Sequence, residues 1–357
     1  MQRGITQLRA VSVTDKISFK SAENQTPVTF APIINGCWTL AGGHGREVFN
    51  GIDGKLRAHA TAGFTSFDTA DIYGSSEQIL GQFAKTWADE GNTPVQIFTK
   101  YVPNIFNQRP TPSSVEAAIR KSMANLQVAQ LDLVQLHWWD YGIEGLVDTT
   151  KALADCQAKG LIKAVGATNM NTEALAMMVD SGVNVVNNQV QFSLLDRRPL
   201  NGMLQYCEEN GIRLFTYGTV AGGLLSDKYV EEPKSGLFGG PKKYSKPELT
   251  TSSQKMYMGT IQKFGGPDLW RELVKTLKGV ADKHSASVAN VAVQWAMQQG
   301  NGTMVHPIVG MRNISHIADN TRGLGLHLDS ADLASIQSVL DRSSGPNGDC
   351  YSFEREN

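Results

Sequence analysis

The sequence is poor in cysteine and shows no cysteine pattern. Cys37, Cys156, Cys207 and Cys350 are the only four, and none forms a C-x-x-C pair. Neither a zinc knuckle nor a redox dithiol is signalled, and scattered free thiols fit a reducing compartment. No apolar run approaches the ~20 residues that a membrane-spanning helix needs. The formal net charge is only −1, so nothing pulls the whole chain toward nucleic acid or an anionic membrane. There is no basic stripe and no internal repeat to suggest a structural or nucleic-acid-binding role. Four motifs are also missing. Without H-E-x-x-H or H-x-H, no metal site is expected. Without G-x-S-x-G, a serine hydrolase is unsupported. Without G-x-G-x-x-G, a dinucleotide-binding open sheet is unsupported, and neither the glycines at 42, 43 and 45 nor those at 323 and 325 fit that spacing.

What the chain does have is a beat. Its 41% hydrophobic content fits a soluble globular protein with a large core, and α/β barrels reach 357 residues as one domain. Short β-branched or apolar runs occur at 33–38, 64–67, 95–100, 131–137, 163–167, 185–191, 213–217 and 305–309. Amphipathic, helix-like stretches fall between most of them, at 55–62, 76–87, 113–126, 145–159, 172–180 and 200–210. Alternating strands and helices imply a parallel sheet covered on both sides. Eight runs suffice to close it, so the expected fold is an α/β (β/α)8 TIM barrel over residues 28–342.

The beat breaks once, after the seventh run. A Gly-, Pro-, Ser- and Lys-rich stretch over 218–267 reads as a lid, followed by helical patterns at 268–285 and 287–299. Helices are expected again at 315–324 and 330–341. The tail, residues 343–357, is expected to fold back over the barrel mouth. Residues 1–27 carry Arg3, Arg9, Lys16 and Lys20 against Asp15 and Glu23, and lack the apolar core of a secretory signal. They read as a flexible family-specific arm, with an organelle transit peptide as the alternative. A cytoplasmic location is expected otherwise.

Three ionisable residues stand at the ends of successive runs: Asp68, Lys100 and His137, with Tyr73 on the loop after the second. Each has an ordinary explanation alone: a turn residue, a surface lysine, a core histidine, a packed tyrosine. A barrel has no structural need for them together at one rim. Together they suit proton donation to a carbonyl oxygen. Free tyrosine has a pKa of ~10, and a neighbouring ammonium lowers it. A lysine buried alone would lose its proton, and Asp68 supplies the counter-charge. His137 can donate a hydrogen bond to the substrate oxygen. A proton donor without a metal suggests that hydride comes from a cofactor.

The segments "FDTADIYG", "IFTK", "LVQLHWW", "VGATN", "NNQVQFSLLDR", "TYGTVAGGLLSDKY" and "PIVGMRNISHIADN" occur in one order, and over about residues 30–325 the chain resembles the aldo-keto reductase family. The resemblance implies reduction of an aldehyde or ketone, or the reverse, with NADP(H) extended across the barrel mouth and NAD as an alternative. It makes Tyr73 the general acid and Asp68, Lys100 and His137 its partners. It sets Thr168, Asn169 and Gln189 against the nicotinamide carboxamide and Tyr217 against the ring. Gly218, Thr219, Leu224 and Lys228 fall in the pyrophosphate loop, where Tyr-Gly-Thr-Val replaces the common Tyr-Ser-Pro-Leu. Gly310, Arg312, His316, Asp319 and Asn320 fall in the segment that grips the adenosine and 2′-phosphate, with His316 where a second basic residue is common. Trp38 and Trp138 are the substrate-pocket candidates. Trp139 is set aside, because neighbours on a strand point opposite ways. Two alternatives stand beside a reductase. One is a nucleotide-binding sensor like the potassium-channel β-subunits, which resemble this family and keep the tetrad. The other is a non-redox dehydratase or isomerase on the same barrel. The sequence carries no signal of substrate identity, physiological direction or oligomeric state.

Overall fold

The computed structural model describes residues 11–19, 27–41, 49–230, 247–352 and 354. Much of the expected arm, the glycines at 42, 43 and 45, the Gly/Pro/Lys-rich 231–246 of the expected lid, and tail residues 353 and 355–357 lie outside the described residues.

A two-stranded antiparallel hairpin comes first, β1 (Ile17–Ser18) and β2 (Thr29–Phe30). Eight parallel strands follow: β3 (Ile34–Gly36), β4 (Ser66–Asp68), β5 (Gln96–Tyr101), β6 (Leu133–His137), β7 (Val165–Thr168), β8 (Val185–Gln191), β9 (Arg213–Tyr217) and β10 (Val305–Gly310). They pair in sequence order, and β10 closes on β3. The expected (β/α)8 barrel is therefore observed. Parallel neighbours need a crossover, and helices supply it. These are α1 (Ile52–Thr61), α2 (Ser76–Asp89), α3 (Pro112–Leu126), α4 (Leu146–Ala158), α5 (Thr172–Asp180) and α6 (Met203–Asn210). α3 begins where the sequence says it should: Thr111 and Ser114 form a reciprocal cap ahead of Pro112.

Two sequence expectations need correcting. Residues 11–19 of the expected arm belong to the fold, because the β1–β2 hairpin packs across the lower end of the barrel. Phe19, Val28 and Phe30 join Ile34, Phe98, Leu133, Ala164, Val186 and Phe215 in one buried cluster. The expected lid is likewise not all loop. Among the described residues, three α-helices lie between β9 and β10: α7 (Ser252–Phe264), α8 (Gly266–Lys283) and α9 (Val288–Met297). Only the last two were expected. α7 hides behind the Gly- and Pro-rich composition before it, although Thr251 and Gln254 supply its capping box. Two final helices, α10 (His316–Leu324) and α11 (Ser330–Leu340), complete the ring.

Strand alternation stacks the barrel interior in layers. Phe98, Leu133 and Phe215 lie low, and Asp68, Lys100, His137 and Gln189 lie at the C-terminal rim. A bulge in β8, between its pairings with Val165 and Ala167, places one extra residue between these layers.

Candidate active site

Strand ends deliver three of the four expected groups, and a tight turn delivers the fourth. After β4 the chain is tied to its neighbour: Thr69 N donates to Phe98 O at 2.8 Å, and Asp71 N to Lys100 O at 3.3 Å. The loop then turns back, with Tyr73 N donating to Ala70 O at 3.1 Å and Ser76 N to Tyr73 O at 3.0 Å. This sets the Tyr73 ring beside Lys100, whose Nζ lies 5.1 Å from the ring centroid. Lys100 Nζ donates to Asp68 Oδ1 at 2.5 Å and to Thr69 O at 2.9 Å. Asp68, Lys100 and His137 are buried to 3%, 5% and 6% exposure, so the charged pair is shielded from water.

The electrostatics depart from expectation in sign. Burial dominates and raises the Tyr73 phenol above its ordinary range, while Lys100 lowers it and Asp68 raises it again. Asp68 cancels much of the ammonium's field at the phenol, so desolvation prevails. Burial would lower Lys100, but the Asp68 charge and Tyr73 outweigh it, and its pKa is raised. The resting site therefore holds a protonated phenol beside a firmly charged ammonium. Asp71, passed over in the sequence, is pushed up to about 6, chiefly by burial.

The expected cofactor residues divide. Asn169 adopts a left-handed backbone at φ 56°, and its Oδ1 accepts from Tyr217 Oη at 2.8 Å. The turn is held from the loop after β6, since Tyr141 Oη donates to Asn169 O at 3.1 Å and accepts from Asn171 N at 2.8 Å. Gln189 Nε2 is committed inward, to Asp68 Oδ2 at 2.8 Å and Gln135 Oε1 at 2.9 Å. That leaves its carbonyl oxygen for a ligand. Thr168 Oγ1 donates to Gln189 O at 3.1 Å.

Gly218, in the expected pyrophosphate loop, and nearby Gly222 lie against α7. A Cβ on Gly218 would lie 2.7 Å from Tyr257 Oη, and one on Gly222 would lie 2.9 Å from Ser253 Cβ. Gly223 and Gly310 do face open space. Thr219 is buried, with Oγ1 3.3 Å from Thr216 O. Leu224 is buried, and its carbonyl accepts from Trp270 Nε1 at 3.1 Å. Lys228 is exposed, 5.4 Å from the Tyr229 ring. Arg312 and His316 are exposed. Asp319 is tied to α9 by Ser287 Oγ at 2.8 Å, and Asn320 is half-buried.

The two tryptophans after β6 exchange places. Trp138 is fully buried in the main core and donates to Ile143 O at 3.0 Å. Trp139 is 37% exposed, and its ring centroid lies 4.2 Å from that of His137. Alternation counted from His137 gives this result: Trp139 shares its side and Trp138 does not. Trp38 is 40% exposed, in a short 3₁₀ turn after β3. The tail also reaches the mouth. Tyr351 stands edge-on to His137 at 5.8 Å, and Glu354 pairs with buried Arg198 at 2.7 Å.

A model of the aldo/keto reductase family matches residues 32–341. The chain belongs to the aldo/keto reductase family. Among similar proteins, this aldo/keto reductase is 28% identical to the chloroplastic pyridoxal reductase of Arabidopsis thaliana, over 85% of this chain and 81% of the relative. It is 22% identical to the NADH-specific methylglyoxal reductase of Escherichia coli, over 88% and 96%. Among solved structures, the glycerol dehydrogenase of Gluconobacter oxydans superposes with a TM-score of 0.70 at 21% identity, over 94% of this chain and 98% of that one. A Klebsiella pneumoniae aldo/keto reductase in complex with NADP and acetate gives 0.65 at 20%, over 90% and 94%. Among the described residues, no helix is long and apolar enough to cross a membrane, and no cluster could hold a metal ion.

Proposed function

We propose that this family member reduces an aldehyde or ketone with NADP(H), or runs the reverse oxidation, with Tyr73 as the general acid or base. The observation that carries this reading is the Lys100 ammonium, 2.5 Å from Asp68 and 5.1 Å from the Tyr73 ring centroid at the barrel mouth. The residues present fit an extended dinucleotide. Tyr217 offers an aromatic face and holds Asn169 Oδ1, and a carboxamide would lie against this pair. Gly223 and Gly310 leave open space for close approach. A bound reduced nicotinamide supplies the hydride.

The chain's own residues handle the proton. A phenol held protonated by burial has a proton to give at neutral pH. As negative charge develops on the substrate oxygen, Tyr73 donates to it and becomes a phenolate. Lys100, kept cationic by Asp68, stabilises that phenolate. His137 donates a hydrogen bond to the same oxygen, and Trp139 beside it excludes water. Trp38, Trp139 and Tyr351 are the pocket walls, which suits a carbonyl with apolar or aromatic substituents. The four cysteines are free and buried, in keeping with a reducing, cytoplasmic setting.

The test follows oxidation of NADPH and of NADH at 340 nm with a panel including pyridoxal, methylglyoxal and aromatic aldehydes. Turnover with at least one aldehyde, faster with NADPH, is expected. Tight nucleotide binding with negligible turnover throughout would favour a sensor. Product formed without nucleotide oxidation would favour a dehydratase or isomerase.

A further inference from the structure

The interior of a (β/α)8 barrel is mostly filled by branched aliphatic side chains. Beneath this mouth the layer is made of amides. Gln135 lies two residues before His137 on β6, so both side chains face the interior. Gln135 and Asn187 are fully buried, and Gln189 is 4% exposed. Gln135 Nε2 donates to Asp68 Oδ2 at 2.9 Å. Its Oε1 accepts from Asn187 Nδ2 at 2.9 Å and from Gln189 Nε2 at 2.9 Å. Two donors on the oxygen fix which way the Gln135 amide faces, so its nitrogen points at Asp68. The carboxylate thus turns one oxygen to the Lys100 ammonium and the other to two amides.

The strands are shaped around this layer. The β8 bulge brings Asn187 inward as well as Val186. Gly166 makes room on β7, since a Cβ there would overlap the Asn187 side-chain oxygen.

We propose that Gln135 is a positioning residue for the reaction at the mouth, fixing the Asp68 carboxylate against Lys100 and thereby setting how readily Tyr73 releases its proton. The inference rests on the reading of Tyr73 as proton donor. Gln135 acts only through Asp68 and Lys100. A buried carboxylate that loses a donor becomes a stronger base and draws on the proton that Lys100 shares with it. Moving that proton from Lys100 toward Asp68 weakens the positive field at the phenol, so Tyr73 holds its proton more tightly. The alkaline limb of the reduction rate, which falls as Tyr73 deprotonates, then moves to higher pH.

Two variants test this. Gln135→Leu puts an ordinary barrel-interior side chain in place and removes every amide contact. Gln135→Glu keeps acceptors for Asn187 and Gln189 but sets a second carboxylate beside Asp68, so it asks the same question if the leucine variant folds poorly. The assay is NADPH oxidation with 4-nitrobenzaldehyde from pH 6 to 10, with NADPH affinity by fluorescence and thermal melting alongside. In both variants kcat should drop on the order of 10- to 100-fold. The alkaline limb should rise by about one pH unit, and NADPH affinity should stay within about twofold. A rate loss with the limb in place, or matched losses of rate and NADPH affinity with the limb in place, means a merely structural role and overturns the inference. Wild-type rates overturn it too. Tyr73→Phe run alongside separates the failures. If that variant still turns over, the proton-donor reading is at fault. If it is dead while Gln135→Leu behaves as wild type, only the role of Gln135 is.

Discussion

The floor and the mouth of this barrel are built from the same strands, a few residues apart, and are held by opposite physics. At the floor, Phe30 meets Phe19, Phe215 and Phe98 with ring centroids 4.7, 5.2 and 6.1 Å apart, and His306 lies edge-on to Phe30 at 4.9 Å. Such a cluster gains from every apolar contact and asks only for volume and shape. At the mouth the groups are a carboxylate, an ammonium, a phenol and amides, each placed by a specific hydrogen bond. Burying a charge is costly unless it is paired and fully solvated by protein dipoles. The mouth is therefore where the chain gives up stability for chemistry, and the floor is where stability is made. On strand β6 the change occurs between Leu133 and Gln135, one step of alternation.

This contrast breaks if substitutions at the two ends act alike. The largest separation is expected for Tyr73→Phe, which should lower kcat by 10²- to 10⁴-fold. Stability should change by less than about 0.5 kcal/mol, since only a hydroxyl is lost. Urea unfolding beside steady-state kinetics reads both, and retention of more than a few per cent of the rate would remove Tyr73 from the acid role. Phe215→Ala should do the reverse. It is fully buried in the floor, so a loss of about 3–5 kcal/mol is expected. Enzyme that remains folded should keep its kcat within a few-fold. A large rate loss in folded enzyme would mean that floor and mouth are coupled.

Acid should find the floor first. His306 is 2% exposed, and burial, aided by Arg213, lowers its pKa to about 3. The unfolded chain takes up this proton near pH 6.5, while the folded chain refuses it until about pH 3. Stability is thus complete above pH 6.5 and is lost as pH falls, by ~1.4 kcal/mol per unit for this one group. His306→Phe, which suits the aromatic surroundings, should flatten the stability profile between pH 6 and 4. Parallel profiles for the two proteins would place the acid sensitivity elsewhere.

The two regions were also unequally legible in the sequence. Strand runs and their order could be read because each carries β-branched residues between helical patterns, and the barrel followed. Asp68, Lys100 and His137 were visible because each ends an apolar run, and a charge there needs a reason. Gln135 was not, since an amide inside "LVQLH" carries no charge to draw notice, although counting back by two from His137 places it inside. Trp138 and Trp139 show the same lesson, because alternation has to be counted from a residue whose direction is known. The packing of helix α7, residues 252–264, against Gly218 and Gly222 was not legible, because no local pattern links it to a loop about thirty positions earlier. The sign of the Tyr73 shift was missed for a related reason. Sequence names the charged neighbours of a phenol but not how deeply it is buried.

The smallest expected effect lies at the edge of the mouth and tests whether that edge discriminates between nucleotides. Arg312 follows β10 and precedes α10, is exposed, and makes no ion pair among the described residues. Asp319, the nearest acidic residue in sequence, is instead occupied by Ser287 and Asn290, and lies 3.8 Å from Arg322. We propose Arg312 as a partner for a 2′-phosphate, which its planar fork suits. Exposure limits what the contact contributes, because solvent and salt screen it. Arg312→Ala should weaken NADPH binding by about tenfold at low salt, ~1.4 kcal/mol, and leave NADH within about twofold. The gap should narrow as salt is raised. Equal losses for both nucleotides, or no dependence on salt, would take Arg312 out of 2′-phosphate recognition and leave NADPH and NADH to be distinguished by some other part of the rim.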